Sequence, residues 1–171
     1  RPEGWVPAHP SVPPMNVFAP QPTVDYPTNE LVQVEAGTVA LGKSDDMPSF
    51  GWDNEYGAVN RVVPAFLASR FKISNGEYFE FVIDGGYRER RFWSEDGWGW
   101  RSFRNAKWPT FWCSVGPANL HQYQLRTVHE TIPMPWAWPA EVNAHEASAY
   151  CQWRVERDAN TTGGPPLPYR L

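Results

Sequence analysis

Cysteine is nearly absent, histidine is sparse and long apolar runs are missing from this chain of 171 residues, and each scarcity removes a class of function. Cys113 and Cys151 are the two cysteines, too far apart for a CxxC zinc or redox pair. Two cysteines in this length make no disulfide framework, so a reducing, cytoplasmic setting is the simplest expectation. The four histidines are His9, His121, His129 and His145, and no two have the spacing that turns two imidazoles toward one metal from a helix face. No apolar run approaches the ~20 residues of a membrane-spanning helix, and no signal-peptide pattern opens the chain, so no membrane partner is expected. A net charge of −4 and a pI near 5.6 provide no basic field for phosphate backbones, which argues against nucleic acid. No GxSxG elbow, phosphate loop or dinucleotide fingerprint occurs, and no internal repeat. The glycines read as turn residues.

Rings and prolines are abundant instead. Ten tryptophans, 18 prolines and 13 glycines describe a globular, loop-rich chain of one-domain length. It starts with Arg1 rather than Met, so a piece of a longer protein is expected.

Residues 1–28 are crowded with prolines, which fix φ and remove amide donors, and read as an extended interdomain connector that Trp5, Phe18 or Tyr26 pins to a neighbouring surface. In "ELVQVEAGTVALG" (30–42) alternation around Ala36-Gly37 predicts a hairpin of two short strands. A further extended stretch covers 58–73, with Pro64 marking an edge or bulge. Ser74 and Glu77 have capping-box spacing and predict a helix to about Asp84, with Tyr78, Phe81 and Val82 on one face and Gly85-Gly86 as its stop. Asn143 and Glu146 repeat the box ahead of a helix to 158, whose buried stripe is Ala147, Tyr150 and Cys151 or Ala149 and Trp153. Between them, 94–104 reads as a short helix weakened by Gly97 and Gly99. Short strands at 109–112 and 121–130, a proline-broken loop at 131–139 and the start of a last strand at "YRL" complete an α+β pattern.

Three stretches invite a chemical reading. Asp53, Asn54 and Glu55 follow two rings in "MPSFGWDNEYG"; short polar side chains of this kind hold irregular loops by bonding nearby amides, and structural duty is favoured. A Ca²⁺ site would need more oxygens than Asp45 and Asp46 add, and EF-hand spacing is absent. In 88–112, Arg101, Arg104 and Lys107 interleave with Trp93, Trp98, Trp100 and Trp108, a composition able to hold a carboxylate between guanidinium and ring, or equally to lay arginine stems over indoles. Trp136 and Trp138 of "MPWAWP" line a pocket or close a core. The candidate substrate-binding residues are therefore Trp98, Arg101, Arg104, Trp136 and Trp138.

"ELVQVEAGTVALGK", "PSFGWDNEYG", "ISNGEYFEFVIDGGY", "WSEDGWGWRSFRN", "WPTFW", "MPWAWPAEVNAHEASAYCQW" and the final "YRL" together resemble the 5-histidylcysteine sulfoxide synthases of ovothiol biosynthesis. The resemblance runs from about Tyr26 to Leu171 and places the chain in the formylglycine-generating-enzyme-like group, whose fold is a C-type-lectin variant. The helix "AEVNAHEASAYCQW" also resembles the ergothioneine-pathway sulfoxide synthases, while "FGWDNEYG" joined to "DGWGWRSFRN" and "MPWAWP" favours the ovothiol branch. The paired active-site cysteines of formylglycine-generating oxidases are not seen here.

The resemblance implies a non-haem iron(II) and O₂ reaction joining cysteine sulfur to the histidine imidazole as a sulfoxide. It implies iron ligands from an HxxxHxE-type helix and one further histidine in an N-terminal helical domain, and an active-site tyrosine beyond Leu171. None of these maps onto this chain, so residues 29–171 are expected to be the N-terminal part of the lectin-like catalytic domain. The iron-binding helical domain and the remaining C-terminal part of the same protein would be its partners. Catalytic residues and metal ligands are expected outside the chain, which alone is expected to be inactive and poorly soluble through uncovered sheet edges. A non-catalytic lectin-like binding module is the reading from another class.

Overall fold

The computed structural model describes residues 24–117, 120–163 and 167–171, so most of the proline-rich connector, with Trp5, His9 and Phe18, lies outside the described residues. The described residues divide into two compact units, Thr28–Phe71 and a second formed by residues 24–27 with those from Lys72 onward.

In the smaller unit β1 (Leu31–Val34) and β2 (Gly37–Leu41) are both present, but they do not form the expected hairpin. β1 pairs antiparallel with β4 (Phe66–Ser69), Val34 opposite Phe66, and β2 pairs antiparallel with β3 (Val59–Val63), Gly37 opposite Val63. The two ladders form one long ribbon broken at the same level on both sides, with Glu35-Ala36 facing Pro64-Ala65. Proline has no amide to give to a ladder, and the break falls where Pro64 removes it. The loop closing this ribbon contains the triplet. Asp53–Glu55 is a short 3₁₀ turn in which the Glu55 carboxylate accepts the Trp52 amide at 2.8 Å and Asp53 Oδ1 accepts the Asn54 amide at 2.9 Å. The Glu55 carbonyl accepts the Lys43 amide at 2.7 Å. All three bonds hold the loop, as short polar side chains near free amides do.

The larger unit is built on three helices and one sheet. α1 (Asn75–Ile83) starts at the expected box: Ser74 Oγ accepts the Glu77 amide at 3.1 Å, and Glu77 Oε2 accepts the Ser74 amide at 2.9 Å. It stops at Asp84, with Gly85 at φ 85°, a left-handed conformation that glycine adopts without penalty. α3 (Ala144–Thr162) repeats the device with Asn143 and Glu146 and ends on Gly163 at φ 64°. α2 (Glu95–Arg104) forms in spite of its glycines. A Cβ on Gly97 would come within 3.4 Å of His145 Cβ and 3.1 Å of Ser94 Oγ, so the missing side chain lets α2 approach α3. β5 (Trp112–Ser114), β6 (Tyr123–Arg126) and β7 (Thr131–Pro133) form an antiparallel sheet in sequence order. The C-terminal "YRL" is not a strand; Tyr169 leaves ladder pairing aside and donates its hydroxyl to Asp158 Oδ2 at 2.7 Å.

The core is almost entirely aromatic. Phe81, fully buried, meets Tyr78, Tyr87, Phe92, Tyr150 and Trp153 with ring centroids 5.3 to 6.3 Å apart. Tilted and edge-on rings at these separations add to area burial because quadrupoles prefer edge to face. Polar tips inside the core find partners: Trp93 Nε1 donates to the Gly86 carbonyl at 2.8 Å, and the Tyr87 hydroxyl donates to Glu146 Oε1 at 2.5 Å. Tyr26 is pinned as the sequence suggests, its hydroxyl donating to the Glu80 carboxylate and its ring lying against Gly76, where a Cβ would overlap it.

Candidate functional site

α2 combines charged termini with indoles on its faces. Ser94 caps its first turn by accepting the Gly97 amide at 3.1 Å, Glu95 and Asp96 sit at the positive end of the helix dipole, and Arg101 and Arg104 at the negative end. Asn105 turns the chain out of the helix in the left-handed region, φ 47° and ψ 40°, where asparagine is tolerated better than most residues. The Asn105 and Ala106 amides bond the carbonyls of Ser102 and Arg101 at 3.1 and 3.0 Å.

The α2 indoles serve two different purposes. Trp100 stacks against Trp93 at 6.4 Å and against the His145 imidazole at 6.1 Å, tying α2 to the start of α3. Trp98, half-buried and packed against the core, lies between two guanidinium groups, Arg101 at 5.1 Å and Arg90 at 5.9 Å from its ring. Arg101 Nε is buried there without a hydrogen-bond partner among the described residues.

Beyond the end of α2 lies a hollow of about 460 Å³, in the size range of small-molecule pockets. Its lining includes Trp100, Arg104, Asn105, Lys107, Trp108 and Arg126. Trp108 is fixed against Tyr123 at 5.4 Å, and Arg126 is brought in by sheet pairing, its amide bonding the Phe111 carbonyl at 2.8 Å. The Arg126 guanidinium lies over the Phe111 ring at 5.7 Å and reaches the Thr110 carbonyl at 3.4 Å. Burial pushes the Tyr123 hydroxyl up to about 12, so it stays protonated at neutral pH. Burial, and after it the Arg88 charge, lowers the pKa of the neighbouring His121, whose Nδ1 lies 3.2 Å from the Tyr123 oxygen.

Of the five candidate wall residues, Arg104 lines this hollow. Trp98 and Arg101 stack on each other outside its lining. Trp136 is 8% exposed, packed on Phe79 at 4.8 Å and Trp112 at 6.0 Å, the core-closing half of the alternative left open above. Trp138 is 44% exposed on the turn after it. Arg126 is the lining residue that sequence spacing does not reveal, because it arrives from another strand. Cys113 and Cys151 are free and half-buried. Among the described residues no three His, Cys, Asp or Glu side chains gather so as to hold a metal ion. No described helix is long and apolar enough to cross a membrane.

Residues 15–171 match the family model described as sulfatase-modifying factor enzyme 1-like domain. Curated relatives carry the name hercynine oxygenase. The one from Mycobacterium tuberculosis is 35% identical over 105 residues, 61% of this chain and 24% of its own length. The one from Mycolicibacterium thermoresistibile is 38% identical over 109 residues, 63% of this chain and 23% of its own. The one from Mycolicibacterium smegmatis is 32% identical over 127 residues, 74% of this chain and 28% of its own. The chain thus spans about a quarter of the length of these relatives. The α+β architecture, with capped α1 and α3 around an aromatic core, agrees with the family match. By a match that covers all but its first 14 residues, this chain belongs to the sulfatase-modifying factor enzyme 1-like domain family.

Proposed function

We propose that the chain is part of a non-haem iron(II)- and O₂-dependent sulfoxide synthase that joins the sulfur of cysteine to the imidazole of histidine, the 5-histidylcysteine sulfoxide of ovothiol biosynthesis. The supporting observation is that the stretches resembling such synthases, from "FGWDNEYG" through "MPWAWP" to the α3 helix, lie in a chain whose curated relatives are named for an oxygenase of a histidine derivative. The described residues form no ligand set that fits iron. Iron comes with ligands from other parts of the protein, and this domain contributes rigid aromatic and cationic surface. Coupling a thiol to an unactivated imidazole carbon is largely a problem of holding two small amino acids in register while water is kept out, which fixed indole and guanidinium walls serve. The half-buried Trp98 and Arg101 pair and Arg104 are the substrate-facing residues in this proposal; Trp136 is packed in the core on Phe79 and Trp112, and Trp138 lies on the turn after it.

The name of the relatives favours a second reading, in which the acceptor is hercynine, the trimethylated histidine of the ergothioneine pathway, and the sulfur donor is cysteine or γ-glutamylcysteine. The two are separated by product mass. The full-length protein, loaded with iron(II) and supplied with O₂ and cysteine, is offered histidine and hercynine in equal amounts. A 5-histidylcysteine sulfoxide mass as the main product supports the ovothiol reading, and a hercynyl product supports the ergothioneine one. No sulfoxide from either acceptor, with cysteine or with γ-glutamylcysteine supplied in a parallel reaction, refutes both and leaves the binding-module reading.

A further inference from the structure

The hollow beyond α2 is lined by three cations, Arg104, Lys107 and Arg126, and by no carboxylate. None of the three is in an ion pair with a described residue; the ion pairs of the described residues involve Arg91, Arg154 and Arg157 instead. Arg104 and Lys107 do not lie over a ring either, so the arrangement of cationic stems resting on indoles, which Arg90 and Arg101 adopt at Trp98, is not what holds them. Arg104 has a partial structural reason to be there, as the basic end of α2. That reason does not extend to Lys107, past the helix, or to Arg126, on β6, whose guanidinium is held by the Phe111 ring and one long bond to the Thr110 carbonyl and keeps further donors free of described partners. Three exposed like charges around one concavity repel each other weakly through solvent, and an anion among them can meet all three at once.

The walls narrow the ligand further. Trp100 and Trp108 are immobilised by Trp93, His145 and Tyr123, so their surfaces in the lining are preformed. Thr110 and Asn105 add neutral polar groups to the same lining. Flat apolar walls beside a cluster of cations suit a flat ring bearing an oxyanion, the ring on indole and the oxyanion among guanidinium and ammonium groups. We propose that this hollow is a binding site for small ring-bearing carboxylates, with Arg104, Lys107 and Arg126 holding the carboxylate and Trp100 and Trp108 holding the ring. This inference does not depend on the sulfoxide-synthase reading, since it follows from the charge and shape of the hollow.

The test uses the full-length protein and three probes: benzoate, which has ring and carboxylate; inorganic phosphate, which has the oxyanion alone; and benzamidine, which has the ring with a cation. Binding is measured by calorimetric titration, and occupancy of the hollow by protection of Lys107 from acetylation, read by mass spectrometry. Lys107 is expected to be reactive in the free protein and protected by benzoate, with phosphate binding at least about tenfold more weakly and benzamidine giving no protection. Lys107→Gln and Arg126→Gln are each expected to weaken benzoate about tenfold, as loss of one charge-assisted contact does, with hydrogen exchange of the sheet unchanged. Equal affinity for benzoate and phosphate would overturn the ring assignment, and unchanged affinity in both variants would overturn the site. Lys107 resistant to acetylation in the free full-length protein would also overturn it, by showing that polypeptide fills the hollow.

Discussion

Replacing Glu146 tests whether the capping logic that starts α3 also locks the core. Its side chain is 2% exposed, accepts the Asn143 amide at 2.9 Å and the Tyr87 hydroxyl at 2.5 Å, and through Tyr87 reaches the Tyr78 hydroxyl 3.3 Å further on. Glu146→Ala leaves the Asn143 amide without this acceptor and the Tyr87 hydroxyl with only the more distant Tyr78 oxygen, at about 1–3 kcal/mol each, so a loss of roughly 3 kcal/mol is expected. At about 1.4 kcal/mol per factor of ten, that is on the order of a hundredfold faster opening of α3. Glu146→Gln keeps the shape, its oxygen accepting from Asn143 and its amide donating to the Tyr87 oxygen, and is expected to cost much less.

The two variants differ in pH dependence. Burial holds the Glu146 carboxyl above its ordinary range, with the Tyr87 and Asn143 hydrogen bonds and the His145 charge pulling back part of the way. A carboxyl raised in the folded state binds its proton more tightly there. Its stabilising contribution is therefore complete below the unfolded glutamate range and is lost as pH rises through the folded value. Wild type is thus expected to lose ground to Glu146→Gln as pH rises. Hydrogen exchange of peptides spanning 140–155, corrected for intrinsic rates, measures both effects. A gap between wild type and Glu146→Gln that does not change with pH, or Glu146→Ala opening less than about threefold faster, would refute the reasoning.

Glycine positions supply a contrast: Gly86→Ala puts a Cβ 2.0 Å from the Phe81 ring and is expected to destabilise by about 1–3 kcal/mol, while Gly99→Ala, with nothing within 4 Å, is expected to stabilise α2 by up to ~1 kcal/mol, both read from thermal unfolding. Trp136→Ala, by opening the aromatic core, is expected to cost about 3–5 kcal/mol by denaturant titration, and a cost under ~1 kcal/mol would show the ring is not packed as described. Cys151, whose pKa burial raises, is expected to alkylate more slowly at neutral pH than an exposed thiol, and equal rates in a timed labelling series would contradict its half-buried placement.

Local chemistry made α1 and α3 legible in the sequence. Ser74 with Glu77, and Asn143 with Glu146, are short-range pairs whose geometry needs no tertiary information. α2 was legible except for the role of Gly97, which reads as a weakness until α3 stands beside it. Strand existence was readable in Leu31–Val34 and Gly37–Leu41, but strand pairing was not, since alternation is compatible with a neighbour close in sequence or one thirty residues away. Pro64 carried the one hint, marking where the partner ladder breaks. For the candidate site, the 98–108 cluster was visible as composition, yet the hollow requires Arg126, which only the β5–β6 register delivers. Composition likewise could not tell the core-facing Trp136 from the exposed Trp138 two residues on.

The proposed function has this aromatic domain, with its cationic cluster around α2, working in a reaction whose metal ligands lie elsewhere in the protein. Its most direct test is the product mass formed by the iron-loaded full-length protein from cysteine, histidine and O₂, in wild type and in Trp98→Ala and Arg101→Gln. Wild type is expected to give a histidylcysteine sulfoxide, and the variants a marked loss of turnover with iron content unchanged. Full turnover in both variants, or no sulfoxide from wild type with any histidine-derived acceptor, would contradict it.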